Sequence, residues 1–102
     1  AVDFPEVNSL IVHGGRGLWY ERAEFLAKFH ENVYLEVSGL PPQKLKEYFP
    51  ALERISRKVV FGSDWPANPG IGENMERIAA LGLSGDAVDN ILGGNAARLL
   101  GL

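Results

Sequence analysis

Apolar residues follow two alternating rhythms along the chain. Leu10-Ile11-Val12, Val33-Tyr34-Leu35-Glu36-Val37 and Lys58-Val59-Val60-Phe61 are short runs rich in β-branched residues, each followed by small or polar residues. They predict three strands, near 10–13, 33–38 and 58–64. From Leu18 to Glu31, Trp19, Ala23, Leu26 and Ala27 recur at helical spacing. Phe25 and Phe29 lie beside them, and Glu21, Arg22, Glu24 and Lys28 take the wet side. That is an amphipathic helix, broken at Asn32. Pro41-Pro42 opens a second helix with Leu45, Tyr48, Phe49, Leu52 and Ile55 as its stripe, kinked or divided at Pro50. A third runs from Glu73 to Leu81 with Met75, Ile78 and Ala79 inward. Ser84 caps a fourth through Leu92, Gly93-Gly94 stops it, and Asn95 caps a last short one, Ala96 to Leu100.

The polar residues closing the three strands are His13, Ser38 and Asp64, separated by 25 and 26 positions. One strand, one helix and two loops fit such an interval. The pattern therefore describes three successive βα units with parallel strands and right-handed crossovers. In parallel α/β folds functional groups collect at the carboxyl ends of the strands, so these three residues share one mouth. His30, at the end of the first helix, belongs to the opposite pole.

Composition narrows the partners. The 102 residues suffice for one modest domain, and 46% hydrophobic with 23% charged residues is an ordinary globular balance. Ten basic residues against 13 acidic ones, net −3, leave no basic excess for a phosphate backbone, which argues against nucleic acid. No apolar run approaches the roughly 18–20 residues a membrane span needs. Cysteine is absent, which excludes thiol catalysis and thiolate metal sites and leaves His and carboxylate as strong metal ligands. A soluble protein of the reducing cytoplasm is the expectation.

His13 follows an apolar strand and precedes two glycines, where an imidazole can shuttle protons or bind a metal; the alternative is a histidine satisfied by a nearby carbonyl. Asp64, in Phe61-Gly62-Ser63-Asp64-Trp65-Pro66, emerges from an apolar strand, where a carboxylate is costly unless paired or coordinating. A turn aspartate is the other reading, although no helix starts directly after it. Ser38 and Arg16 can bind substrate at the same mouth, Arg16 through a carboxylate, and Trp65 can wall it. Structural roles remain open for all three. Glu36 sits inside its strand, either aimed at an interior or paired with a neighbour. Gly14-Gly15-Arg16-Gly17 could cradle a phosphate before a helix, but lacks both glycine-rich nucleotide patterns.

Four segments taken in order resemble one family: His13-Gly14-Gly15, Asn32 to Gly39, Phe61 to Pro66, and Ile91-Leu92-Gly93-Gly94-Asn95-Ala96-Ala97-Arg98-Leu99-Leu100. Together they are similar to the C-terminal part of the amidohydrolase-related metal-dependent hydrolases, the group that includes aminocarboxymuconate-semialdehyde decarboxylase and related lactonases. The resemblance implies that residues 1–102 are three consecutive parallel βα units, the sixth to eighth of a (β/α)8 TIM barrel, plus C-terminal helices. It implies that His13 acts at the metal-held water or the substrate, and that Asp64 is a metal ligand or orients the attacking water. The implied cofactor is a divalent metal, zinc first. The implied reaction is hydrolysis of a C–O or C–N bond, or decarboxylation of a small organic acid.

A full barrel takes about 250 residues, so 102 cannot close one. The family's His-x-His pair and strand-five histidine have no counterpart here, and a catalytic zinc takes about three protein ligands. The expectation is an incomplete metal site, completed by the remainder of the barrel or by homo-oligomers. The alternative is a non-catalytic three-βα module that self-associates to bury its sheet edges.

Overall fold

A computed structural model describes all of residues 1–102. Its centre is a three-stranded parallel sheet in the order β1 (Ser9–Ile11), β2 (Val33–Glu36), β3 (Val59–Val60). Leu10 is level with Tyr34, Leu35 with Val59, and Glu36 with Val60. Successive side chains alternate between faces. Val33, Leu35 and Val59 therefore turn one way, into the core. Leu10, Tyr34 and Glu36 turn the other way, where Leu10 stays exposed.

The core face is covered by α1 (Tyr20–Phe29), α2 (Leu45–Tyr48), α3 (Ile71–Ala79) and a C-terminal helical stretch. Ala23 and Ala27 set α1 close on the sheet, and Leu35, Phe49 and Val59 are fully enclosed at the centre. Small residues on the helix let it approach the strands, and the large ones fill from the flanks. Lys58 closes the end of α1: its ammonium donates to the carbonyls of Ala27, His30 and Glu31 at 3.0, 2.7 and 3.0 Å. The Ala27 carbonyl is one that a helix end leaves unpaired, and those of His30 and Glu31 belong to the turn that follows. Burial lowers the pKa of Lys58, with Glu31 acting in the opposite direction. His30 thus lies at the pole away from His13, as its position in sequence predicts.

The strands are shorter than predicted, for identifiable reasons. β1 stops at Ile11 because His13 and Gly14 turn to φ +57° within a 3₁₀ segment, Val12–Gly15. β2 stops at Glu36, although Val37 still donates to Val60 at 3.0 Å. β3 stops at Val60, and the Phe61 N–H, on the edge away from β2, donates to the carbonyl of Ile91, 3.0 Å off. The predicted second helix is reduced to a 3₁₀ turn, Pro42–Lys44, and the four residues of α2, with Pro50 following where the helix ends. Proline lacks the N–H and clashes with the preceding turn.

The C-terminal prediction needs a larger correction. Ser84 does cap α4 (Gly85–Asp89), its hydroxyl accepting from Ala87 at 3.1 Å. Gly93-Gly94 does not stop the helix. The chain passes through a π turn, Asn90–Gly94, and continues as α5 (Asn95–Leu100), ending where Gly101 takes φ +74°. Asn95 is not a cap but an interior hook. It is 1% exposed, and its amide donates to the carbonyls of Ser56 and Val59, both at 2.6 Å. In a parallel strand alternate residues address opposite neighbours. Val60 serves β2, so Val59 and Phe61 face the free edge, which Asn95 and Ile91 seal. No helix is long and apolar enough to cross a membrane.

Candidate active site

The carboxyl ends of the three strands meet around Gly39. A methyl group placed on Gly39 would lie 2.5 Å from Arg16 Nη2, 2.9 Å from Asp64 Oδ2 and 3.3 Å from His13 Nδ1. Three of the residues singled out in the sequence therefore converge on one point, although Asp64 lies 48 and 51 positions from Arg16 and His13. Gly39 has φ +72° and carries no side chain, so it leaves the space into which they reach. His13 and Asp64 are the two non-glycine residues with positive φ, at +57° and +56°. Such backbone costs of order 1 kcal/mol or more and is held only when surrounding contacts require it.

His13 is held from behind. Its Nδ1 lies 2.7 Å from the carbonyl oxygen of Ser38 and 3.2 Å from the Ser38 hydroxyl. A carbonyl only accepts, so Nδ1 carries the proton, and in the neutral ring Nε2 is the free lone pair. Nε2 has no partner in the chain, which suits a base or a metal ligand. Behind Ser38 stands Glu36. Its Oε2 accepts from the Ser38 hydroxyl at 2.9 Å and from the His13 backbone N–H at 3.2 Å, and its Oε1 accepts from the Ser38 N–H at 3.0 Å. The carboxylate thus fixes the residues on both sides of the imidazole. Gly62 makes room for it, since a methyl there would come within 2.0 Å of Glu36 Oε1.

Glu36, whose role the sequence left open, is thus tied to the candidate site through Ser38 and His13. The signal was present: a carboxylate inside an apolar strand needs partners, and the period of two sets it beside Ser38 on the open face. Ser38 itself is buried, with its hydroxyl committed to Glu36 and His13. Arg16 is exposed and donates one N–H to the Gly39 carbonyl at 3.1 Å. Asp64 is exposed, and its carboxylate has no ion-pair partner. Trp65 stands exposed next to it, before a cis Pro66.

The glycine loop serves packing, not phosphate binding. A methyl on Gly14 would come within 2.5 Å of the Phe49 ring, and α1 begins only at Tyr20. For a metal, His13 Nε2 and the Asp64 carboxylate are suitable donors, but no three His, Asp or Glu side chains gather closely enough to hold an ion.

The amidohydrolase sequence profile matches residues 1–102, the whole chain. The chain belongs to the amidohydrolase family. It superimposes on an uncharacterised TIM-barrel protein from Bordetella bronchiseptica with a TM-score of 0.81 and 28% identity, covering 98% of this chain and 36% of that one. It also superimposes on an amidohydrolase from Burkholderia multivorans with a TM-score of 0.77 and 20% identity, covering 99% of this chain and 47% of that one in a HEPES-bound form. A zinc-bound form of the same amidohydrolase gives the same score, with 46% of it covered. No curated protein matches. The chain therefore spans less than half the length of these solved structures. Its open three-stranded sheet is one arc of a TIM barrel.

Proposed function

We propose that this chain supplies the last three βα units, and one side of the active-site mouth, of a metal-dependent amidohydrolase acting on a small organic acid or its derivative. The reaction is hydrolysis of a C–O or C–N bond, with decarboxylation the alternative within the same family resemblance. The observation that carries this reading is the placement of His13, with its proton on Nδ1 and Nε2 free, beside Asp64 and Arg16 around Gly39.

His13 Nε2 takes up a proton in the reaction or offers its lone pair to a cation. The Ser38 carbonyl holds the ring orientation, and Glu36 holds Ser38. Such partners behind a reactive imidazole typically matter by 10- to 100-fold. The free N–H groups of Arg16 orient a substrate carboxylate, and Trp65 walls the same side. His13 and Asp64 are two donors of the roughly three a catalytic zinc requires, so the others come from the remainder of the barrel. Zinc is the first candidate, because the amidohydrolase of similar fold from Burkholderia multivorans holds it. When bound, a divalent cation supplies Lewis-acid chemistry that makes water a nucleophile near neutral pH. The lack of cysteine suits a reducing compartment such as the cytoplasm.

The test is made in the full-length protein, by measuring zinc content and turnover of lactone, amide and carboxylic-acid substrates. Asp64→Asn and His13→Gln are each expected to lower kcat by about 100-fold or more. Wild-type turnover in either variant overturns the assignment.

A further inference from the structure

We infer that Asn74 is a positioning residue, which holds Asp64 at the mouth by way of Asn68. Its premise is that Asp64 belongs to the active site, as proposed above. Two residues of α3 are buried, Asn74 at 8% exposure and Ile78 at 1%. They are four positions apart and so share the face turned to the core. The apolar pattern predicts Met75, Ile78 and Ala79 there, yet Met75 and Ala79 are exposed and an amide takes the inward place. A buried amide is costly unless it is hydrogen-bonded. The Asn74 Nδ2 donates to Asn68 Oδ1 at 3.4 Å, and the Asn74 backbone N–H donates to the Gly70 carbonyl at 2.8 Å. Both partners lie in the loop that carries Asp64.

That loop has little else to fix it. Asp64, Trp65, Pro66 and Ala67 are all exposed, so burial does not anchor them. Its remaining hydrogen bonds are local: the Trp65 N–H donates to Ser63 Oγ at 3.3 Å, and the Ile71 N–H to the Pro69 carbonyl at 3.1 Å. Asn68 joins the loop to the helix. Its backbone N–H donates to the Asp64 carbonyl at 3.0 Å, closing a turn over the exposed residues, while its side-chain oxygen accepts from Asn74. Asn68 is thus a strut with one end on Asp64 and the other on the inward face of α3. Asp64 has φ +56°, a backbone state that persists only where surrounding contacts hold it, and the Asn68 turn supplies such a contact. A carboxylate that addresses a cation or a water works within about 0.5 Å of its productive place. A misplacement of about 1 Å can cost on the order of 100-fold. Every bond of this path lies between residues 63 and 74, inside one βα unit.

The test uses the full-length protein and Asn74→Leu, which keeps the volume, suits the apolar face and removes the donor. Its thermal midpoint should hold or rise. Hydrogen exchange of the Asn68 amide, followed by NMR, reads the turn directly. It is expected to quicken at least about tenfold in Asn74→Leu, while the Ile78 amide within α3 keeps its rate. Zinc affinity, measured by competition with a chelator, should fall about 10-fold, the lower end of what a partner behind a metal ligand contributes, and Asn68→Ala should match it. In an Asp64→Asn background Asn74→Leu should lower zinc affinity no further, because its effect runs through Asp64. An Asn68 amide that exchanges at the wild-type rate in Asn74→Leu overturns the strut. Quickened exchange with unchanged zinc affinity overturns the positioning role, and so does an equal loss of affinity in the Asp64→Asn background. A wild type that binds no zinc, with Asp64→Asn turning over at the wild-type rate, overturns the reading of Asp64 and with it the positioning role; quickened Asn68 exchange would mark that failure as one of the site, not of the strut.

Discussion

Glu36→Gln removes one charge and no volume, and it tests whether the support behind His13 is electrostatic. The carboxylate takes three donors: the His13 N–H and the Ser38 hydroxyl on Oε2, and the Ser38 N–H on Oε1. A carboxamide keeps one oxygen. With it at the Oε2 position, two bonds survive in neutral form, and the NH₂ stands 3.0 Å from the Ser38 N–H, donor against donor. A hydrogen bond to a charged group contributes about 1.5–3 kcal/mol when shielded, and Glu36 is only half-buried, so the expected loss is about 1–2 kcal/mol. Urea denaturation followed by tryptophan fluorescence measures it. Nitrogen-15 spectra of the imidazole supply the second reading. Loosening Ser38 weakens its hold on Nδ1, and the Nδ1–H tautomer should lose population. A stability change under about 0.5 kcal/mol, the range of an ordinary surface substitution, together with an unchanged His13 spectrum would refute the relay.

Three further outcomes follow from the same geometry. Asn95→Ala strands the buried carbonyls of Ser56 and Val59 and should cost about 2–5 kcal/mol, with Asn95→Asp worse because it presents oxygen to both; denaturant midpoints check the order. Gly93→Ala should stabilise the protein by roughly 0.5–1 kcal/mol, since nothing lies within 4 Å of the added methyl and the helix continues through this position; a loss would argue that the helix breaks there. Gly39→Ala meets both a left-handed backbone and the Arg16, Asp64 and His13 side chains, so it should cost about 1–2 kcal/mol and shift the His13 ring resonances, read by the same two methods.

Much of the architecture was legible because it rests on short-range rules. The β-branched runs, the glycines after them and the spacing of His13, Ser38 and Asp64 predicted three parallel βα units, and the structure has them in sequential order. Element ends were less legible. What closes the free edge of β3 beyond Val60 depends on Ile91, 30 positions away, whose carbonyl takes the Phe61 N–H. Gly93-Gly94 read as a stop because two glycines are poor helix formers; packing against β3 outweighs that local preference.

The candidate site divides in the same way. Which residues could do chemistry, and that they lie at strand ends, followed from the sequence alone, because residue type and strand period are local properties. Their division of labour came only from the tertiary structure. Ser38, a possible substrate contact by its type, is turned inward as the holder of His13, and Glu36 becomes the anchor of both. That assignment depends on hydrogen bonds between residues on different strands, at 2.7 to 3.2 Å, and no periodicity encodes them. The same holds for α1. Its apolar residues announced a helix, but which of them face the sheet was decided by the alanines that fit closest to it.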